Sequence, residues 1–164
     1  TLVDFKRSNT VGQDIWSAIT QELSDVPDIA TITRITLRLT LAAWLGGMLG
    51  YERELKERNA GVRTHMLVAV GAALFVIGPL QSGMEIADLS RVLQGIVQGI
   101  GFLGAGAIIV RTAERKIQGL TTAASIWATA GIGIAAGLGL EAMAVLSTII
   151  VLIILAVIPQ VTRR

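Results

Sequence analysis

Cysteine is absent from the 164 residues of the chain. This absence excludes a disulfide framework, a thiolate metal site and a cysteine nucleophile. Charged residues make up only 16% of the chain, whereas a soluble domain normally carries about a quarter. The formal net charge is only +2, and no basic stripe with interleaved aromatics appears. Both observations argue against a nucleic-acid partner.

The few charges are confined to short segments, and long apolar stretches lie between them. With His65 counted as neutral, no charged side chain occurs in residues 64–84, 92–110, 120–140 and 142–161. An uncharged apolar stretch of about 18 or more residues is typical of a membrane-spanning helix. The 18 glycines also suit membrane helices, whose contacts need small residues for close approach.

These stretches predict an all-α, polytopic transmembrane helical bundle in a lipid bilayer. About five spans are expected, at residues 32–51, 62–79, 92–110, 121–138 and 141–158. From Val11 to Leu23 an apolar residue recurs every four positions, which predicts an N-terminal amphipathic helix. That helix either lies at the membrane interface or packs on the protein. The predicted domains are therefore an N-terminal segment, 1–31, and a transmembrane domain, 32–164.

Basic residues predict the orientation of the spans. Nine of the 14 Lys and Arg residues fall in loops 52–63 and 111–119 or at the C-terminus, all on one side of the predicted membrane. Short basic loops stay on the cytoplasmic side, so the N-terminus is expected outside and the C-terminus inside. Arg34 and Arg38 lie near the outer end of the first span. They can either snorkel to the interface or serve a function within the membrane.

The third span is rich in glycine. Its glycines are Gly95, Gly99, Gly101, Gly104 and Gly106. Residues four apart lie on one helix face, and small residues there allow close helix contact. The spacing predicts that this face packs in the protein interior or at a subunit interface.

A short echo relates two connections of the chain. Residues 57–64 and 115–122 each run from a charged helix end to Gly, an aliphatic residue, a variable position and Thr. The echo indicates either duplicated helix pairs or chance. Each turn begins a helix whose free N–H groups attract anions. Alternatively, Thr64, Thr121 and Thr122 cap or hydrogen-bond their own helices.

Four predicted helix ends reach the same membrane edge, and their polar residues are expected to form one network. The candidate ligand-binding or partner-binding residues are Glu52, Arg53, Arg63, Thr64, Arg111, Thr121 and Thr122. Since an unpaired carboxylate is costly where the dielectric falls, Glu52 is expected to pair with Arg63 or Arg111.

The chain resembles the MgtC/SapB family of bacterial membrane proteins. The stretches that carry the resemblance are Gly50–Glu54, Gly61–Val68, Gly99–Gly106 and Gly119–Trp127. The resemblance implies a five-span domain of the bacterial inner membrane with its N-terminus outside. It also implies a regulatory role in magnesium limitation, virulence or stress adaptation, exerted through contacts with other membrane proteins.

Three functions remain open from the sequence: a regulatory membrane protein, a transporter or channel for Mg²⁺ or a small solute, and a sensor of ligands at the cytoplasmic face. No hydrolase, kinase or redox constellation occurs, so neither an enzyme nor a cofactor is predicted. His65 is the lone histidine and is expected to be a polar residue between helices. Cations beside Glu52, Glu54 and Glu57 oppose metal binding, and a metal site is left unassigned. A homo-oligomer is expected.

Overall fold

The computed structural model describes residues 12–21, 28–111 and 116–158. Residues 12–21 form helix α1. The five longer helices are α2 (Ile29–Leu55), α3 (Val62–Gln81), α4 (Leu89–Ala107), α5 (Leu120–Leu138) and α6 (Glu141–Ala156). The prediction of a helical fold is confirmed, and the five longer helices lie where apolar helices are predicted.

The chain divides into two compact units, residues 1–34 and 35–164. In the first unit, helix α1 exposes Ile15, Trp16 and Ile19. Val11 and Leu23, which end the predicted apolar repeat, lie outside the described residues. The amphipathic character of this segment and its boundary at residue 31 therefore stay predictions.

Helices α3 and α5 form the centre of the second unit and run parallel. A Cβ atom placed on Gly133 would collide with the Ala69 carbonyl, and one on Gly137 would lie 2.8 Å from the Ala73 carbonyl oxygen. The two contact positions are four residues apart on each helix, and the later position on α5 meets the later position on α3. The contact therefore follows one face of each helix in the same direction. Glycine is required here because the two backbones touch.

Helix α2 packs against α3 in the opposite direction. A Cβ atom on Gly46 would lie 2.6 Å from the His65 carbonyl oxygen, and one on Gly50 would lie 2.5 Å from Val62 Cα. The ascending positions on α2 meet descending positions on α3, so the two helices are antiparallel. This contact places the last turns of α2 beside the start of α3.

The core contains two hydrophobic clusters that share α3 and α5. The first joins these helices to α2 and α6 and contains, among others, Leu45, Leu49, Ala73, Ile132 and Leu155. The second joins them to α4 and contains, among others, Val68, Val76, Leu89, Ile96 and Ile126. The α3–α5 pair is therefore the scaffold on which the other helices are positioned.

Two cations, one in α2 and one just after its last residue, bind the C-terminal ends of other helices. Arg38 donates from Nη1 to the Gly137 carbonyl at 3.1 Å, and Lys56 donates from Nζ to the Leu155 carbonyl at 2.6 Å. Helix C-termini carry partial negative charge and unpaired carbonyls, so both contacts are favourable. Arg38 thus has a hydrogen-bond partner at the end of α5, and whether it also snorkels to an interface stays a prediction.

Large apolar side chains cover much of the outer surface. Phe102 is 81% exposed and Leu67 is 73% exposed. On α6 the exposed residues include Leu146, Ile150 and Ile153, as expected for a lipid-facing helix. Among the described residues, α3 and α5 are long and apolar enough to cross a membrane, and α6 is a shorter apolar helix. The number of spans is therefore still a prediction.

A short hairpin connects α4 to α5. Strands β1 (Ile109–Arg111) and β2 (Lys116–Gln118) pair antiparallel, where the sequence predicted helix to residue 110 and then a loop. The helical prediction is wrong here because the β-branched run 108–110 favours extended backbone. Gly119 follows with φ +94°, and a Cβ atom there would collide with the Ala107 carbonyl. The end of α4 and the start of α5 therefore touch.

Candidate functional site

A charged cluster occupies the C-terminal end of α2. Arg53 donates from Nε to Glu52 Oε2 at 2.5 Å, and Lys56 Nζ lies 2.5 Å from Glu52 Oε1. Arg53 is only 2% exposed, and the Glu52 side chain is 12% exposed. The Glu52–Arg53 pair is thus mostly removed from water, while Lys56 pairs with Glu52 from an exposed position.

The carboxylate of Glu52 is kept charged by its neighbours, just beyond the predicted first span. Burial raises the pKa of Glu52, but the hydrogen bond from Arg53 and the charges of Arg53 and Lys56 lower it by a larger amount, so the net pKa is below the ordinary value. Lys56 also joins the cluster to the end of α6 through the Leu155 carbonyl. The charges therefore hold two helix ends together.

A second polar group links α3 to α5. His65 is fully buried, with Nδ1 3.0 Å from the Gly61 carbonyl and Nε2 3.2 Å from Ser125 Oγ. Ser125 Oγ lies 2.8 Å from the Thr122 carbonyl, to which it donates. His65 is thus the polar residue between helices that the sequence predicts.

The N-terminus of α3 already has an anion beside it. Glu54 Oε2 accepts a hydrogen bond from the Val62 backbone N–H at 2.9 Å. A carboxylate at this position stabilises the positive end of the helix. The N-cap residues of α3 and α5 are Gly61 and Gly119, so neither helix is capped by an N-cap side chain. Thr64 and Thr121 are exposed, while Thr122 is buried.

The structure changes the predicted pairing of Glu52. Its partners are Arg53 and Lys56, whereas Arg63 is exposed and forms no ion pair with the described residues. The predicted Glu52–Arg63 pair is therefore wrong, because the cations nearest in sequence, at the end of α2 and just after it, pair with the carboxylate instead. Arg111 lies in β1, and its side chain is outside the described part of the chain.

Only part of the predicted network is brought together. Glu52 and Arg53 are in contact, and Thr122 is linked to α3 through Ser125 and His65. A ligand-binding or partner-binding role for the predicted residues stays a prediction. Groups of three or more His, Asp or Glu residues suited to a metal ion do not occur in the described residues.

Most of the α4 glycines are uncovered. A Cβ atom on Gly95, Gly99, Gly101 or Gly106 would meet no atom within 4 Å, whereas one on Gly104 would lie 3.5 Å from the Ala123 Cβ. Among the described residues, packing in the protein interior, one of the two predicted alternatives, therefore holds for Gly104 and not for the other four glycines. The alternative of a subunit interface stays a prediction for the other four.

An apolar groove of about 580 Å³ lies between α3 and α4. Its lining residues include Leu67, Gly71, Phe75, Gly95 and Gly99. The glycines leave the groove floor without side chains, and the larger residues form its walls. The groove is thus a concave apolar surface that the described residues leave unfilled.

Sequence reasoning missed two contributors to the polar groups. Lys56 stands four residues after Glu52, and this spacing places two side chains together on a helix. Ser125 lies between Thr122 and Thr129 at helical spacing, and all three are buried. Both spacings are visible in the sequence, but the sequence alone does not show which face of each helix is buried.

Comparison with known proteins gives related sequences but no related fold. The MgtC family model matches residues 39–164. The putative magnesium transporter YhiD of Escherichia coli K12 is 40% identical over 78% of this chain and 62% of its own length. Protein SrpB of Synechococcus elongatus is 46% identical over 60% of each chain. Protein MgtC of Salmonella typhimurium is 41% identical over 71% of this chain and 48% of its own.

No solved structure matches the chain. The chain spans about half to three-fifths of the length of these curated relatives. The family model covers most of the second compact unit, including the charged cluster, the α3–α5 pair and the groove. The resemblance to MgtC/SapB proteins is confirmed, and this chain belongs to the MgtC family.

Proposed function

We propose that residues 32–164 form a five-span domain of the bacterial inner membrane. The exposed apolar side chains of α3, α4 and α6 favour lipid as the surrounding medium, since soluble monomers rarely expose large contiguous apolar patches. The alternating directions of α2 and α3 suit consecutive spans. Nine of the 14 basic residues lie in loops 52–63 and 111–119 or at the C-terminus. This asymmetry favours a cytoplasmic position for the charged cluster and an external N-terminus.

Within that membrane domain, the function that fits best is regulatory contact with other membrane proteins, in magnesium limitation, virulence or stress adaptation, without enzymatic chemistry. The uncovered groove between α3 and α4 carries this proposal. Helices in lipid associate by close packing of small residues, because lipid provides no hydrophobic drive for association. Gly71, Gly95 and Gly99 present such a surface, and a partner helix can approach their backbones closely.

The partner is either a second copy of this chain or a different membrane protein. Both would insert a helix into the groove, and both agree with the open space at Gly95 and Gly99. We favour a homo-oligomer whose assembled form contacts other membrane proteins. Cross-linking to a second copy of this chain and cross-linking to a different protein would give products of different mass.

The native absence of cysteine allows a direct test of the groove. Gly99→Cys places one thiol in the groove, and Gly131→Cys places one at an equally open position outside it. With a short thiol-reactive photocross-linker in native membranes, Gly99→Cys is expected to give at least about tenfold more protein adduct. The mass of the adduct distinguishes a dimer from a complex with another protein. Equal adducts from both variants would contradict the proposal.

Magnesium transport is the second candidate, since one relative is named a putative magnesium transporter. The α3–α5 contact opposes a conduit along their shared face, because Gly133 and Gly137 bring the two backbones together there. A path elsewhere in an assembled protein would still be compatible with that contact. Ion flux therefore has to be measured directly.

A further inference from the structure

Arg53 is a buried cation with unused hydrogen-bond donors. Its side chain is 3% exposed, and within the described residues its one hydrogen bond runs from Nε to Glu52. Among the described residues, the fully occluded side-chain atoms without a hydrogen bond include Glu52 Oε1 but neither Nη atom of Arg53. The two Nη groups of Arg53 therefore keep a small accessible surface, and no hydrogen bond within the described residues uses their four N–H donors.

The charge around these donors favours an anion. Residues 52–63 contain four basic side chains and three acidic ones, so the segment has one positive charge in excess; these residues are Arg53, Lys56, Arg58 and Arg63, against Glu52, Glu54 and Glu57. Arg58 and Arg63 lie close in sequence, are exposed, and form no ion pair with the described residues. A guanidinium that has lost most of its hydration gains strongly from a charged acceptor.

We propose that Arg53 is the anchor of a binding site for a phosphate group. The planar fork of its Nη groups matches two phosphate oxygens, while Lys56 is positioned by the end of α6 and supplies further positive charge. This inference goes beyond the proposed regulatory function and does not require it. It assigns a ligand chemistry to the charged cluster.

Two sources can supply the phosphate group: the headgroup of an anionic phospholipid and a free phosphate in solution. The surroundings of the cluster favour the lipid. Tyr51 is 61% exposed and Leu55 is 67% exposed, so apolar surface for acyl chains lies beside the charged group. In the proposed orientation this is headgroup depth in the cytoplasmic leaflet, where anionic lipids attract basic residues.

Binding to the full chain in a neutral detergent tests the site. The thermal midpoint is measured with short-chain phosphatidylglycerol against phosphatidylcholine, and with sodium phosphate against sodium chloride at equal ionic strength. We expect phosphatidylglycerol to raise the midpoint and phosphatidylcholine to raise it much less. Arg53→Lys is expected to weaken the apparent affinity for phosphatidylglycerol at least about tenfold, because a point charge replaces a charge-assisted fork.

Arg91→Gln is the matched control, since it removes an exposed arginine of α4 that lies outside residues 52–63 and has no described ion pair. We expect it to bind phosphatidylglycerol as the parent does. If Arg53→Lys does not fold, Lys56→Gln gives the second variant, with an expected loss of about threefold or more. A response to sodium phosphate alone would support a free-phosphate site. Equal responses to both lipids without a phosphate response, or an Arg53→Lys variant that binds like the parent, would overturn the proposal.

Discussion

Gly133→Ala is expected to destabilise the protein severely, by about 3 kcal/mol or more. The added Cβ atom would collide with the Ala69 carbonyl, and a backbone oxygen cannot move aside as a flexible side chain can. Helices α3 and α5 would have to separate, and both hydrophobic clusters depend on that pair. Overpacking in a well-packed core costs about 1–3 kcal/mol and occasionally more.

Gly131→Ala is the matched control in the same helix. A Cβ atom there would meet nothing within 4 Å, and alanine is the better helix former by about 1 kcal/mol. We expect this variant to be neutral or stabilised. The yield of monodisperse protein and the thermal midpoint in detergent give the comparison. Two variants with the same midpoint would show that α3 and α5 do not touch as described.

Glu52→Ala is expected to cost about 3–5 kcal/mol, because it leaves a buried arginine without its carboxylate. Arg53→Ala should also destabilise, but the double variant should lose much less than the sum of the two. Removing both partners eliminates the unpaired charge as well as the pair. The free energy of unfolding, from denaturant titration in mixed micelles, gives the coupling energy of this cycle.

A second double-mutant cycle, between Glu52 and Arg63, gives the control. Arg63 is exposed and forms no ion pair with Glu52, so the effects of Glu52→Ala and Arg63→Ala should add within about 0.5 kcal/mol. A coupling energy larger between Glu52 and Arg63 than between Glu52 and Arg53 would restore the pairing predicted from the sequence. It would contradict the arrangement described here.

The positions of the helices could be predicted because charge-free apolar stretches set their lengths. Residues 120–140 and 142–161 have no charges; α5 lies within the first stretch, and α6 begins at Glu141, one residue before the second. The glycines that bring helices together were harder to identify. Gly133 and Gly137 touch α3, while a Cβ atom added to Gly95 or Gly99 would meet nothing among the described residues. The spacing is the same in both cases, so the sequence does not reveal which glycine face has a neighbour.

The partner of Glu52 was mispredicted for a geometric reason. Successive helix residues are 100° apart around the axis, so Arg63 lies about 200° from the buried His65 on α3. Once His65 faces α5, Arg63 must point away from the interior. The sequence placed both residues at the start of one helix but did not show which of them was buried. Lys56, one helix turn after Glu52, was the nearer cation.

Magnesium flux in liposomes tests the central claim most directly. Purified full chain is reconstituted at known density, and uptake of Mg²⁺ is followed with a trapped fluorescent indicator under an imposed gradient and membrane potential. If the protein acts by contact with other membrane proteins, flux will equal that of protein-free liposomes, while an ionophore added at the end will give the full signal. Protein-dependent Mg²⁺ uptake that scales with reconstituted density would contradict the regulatory account and favour transport.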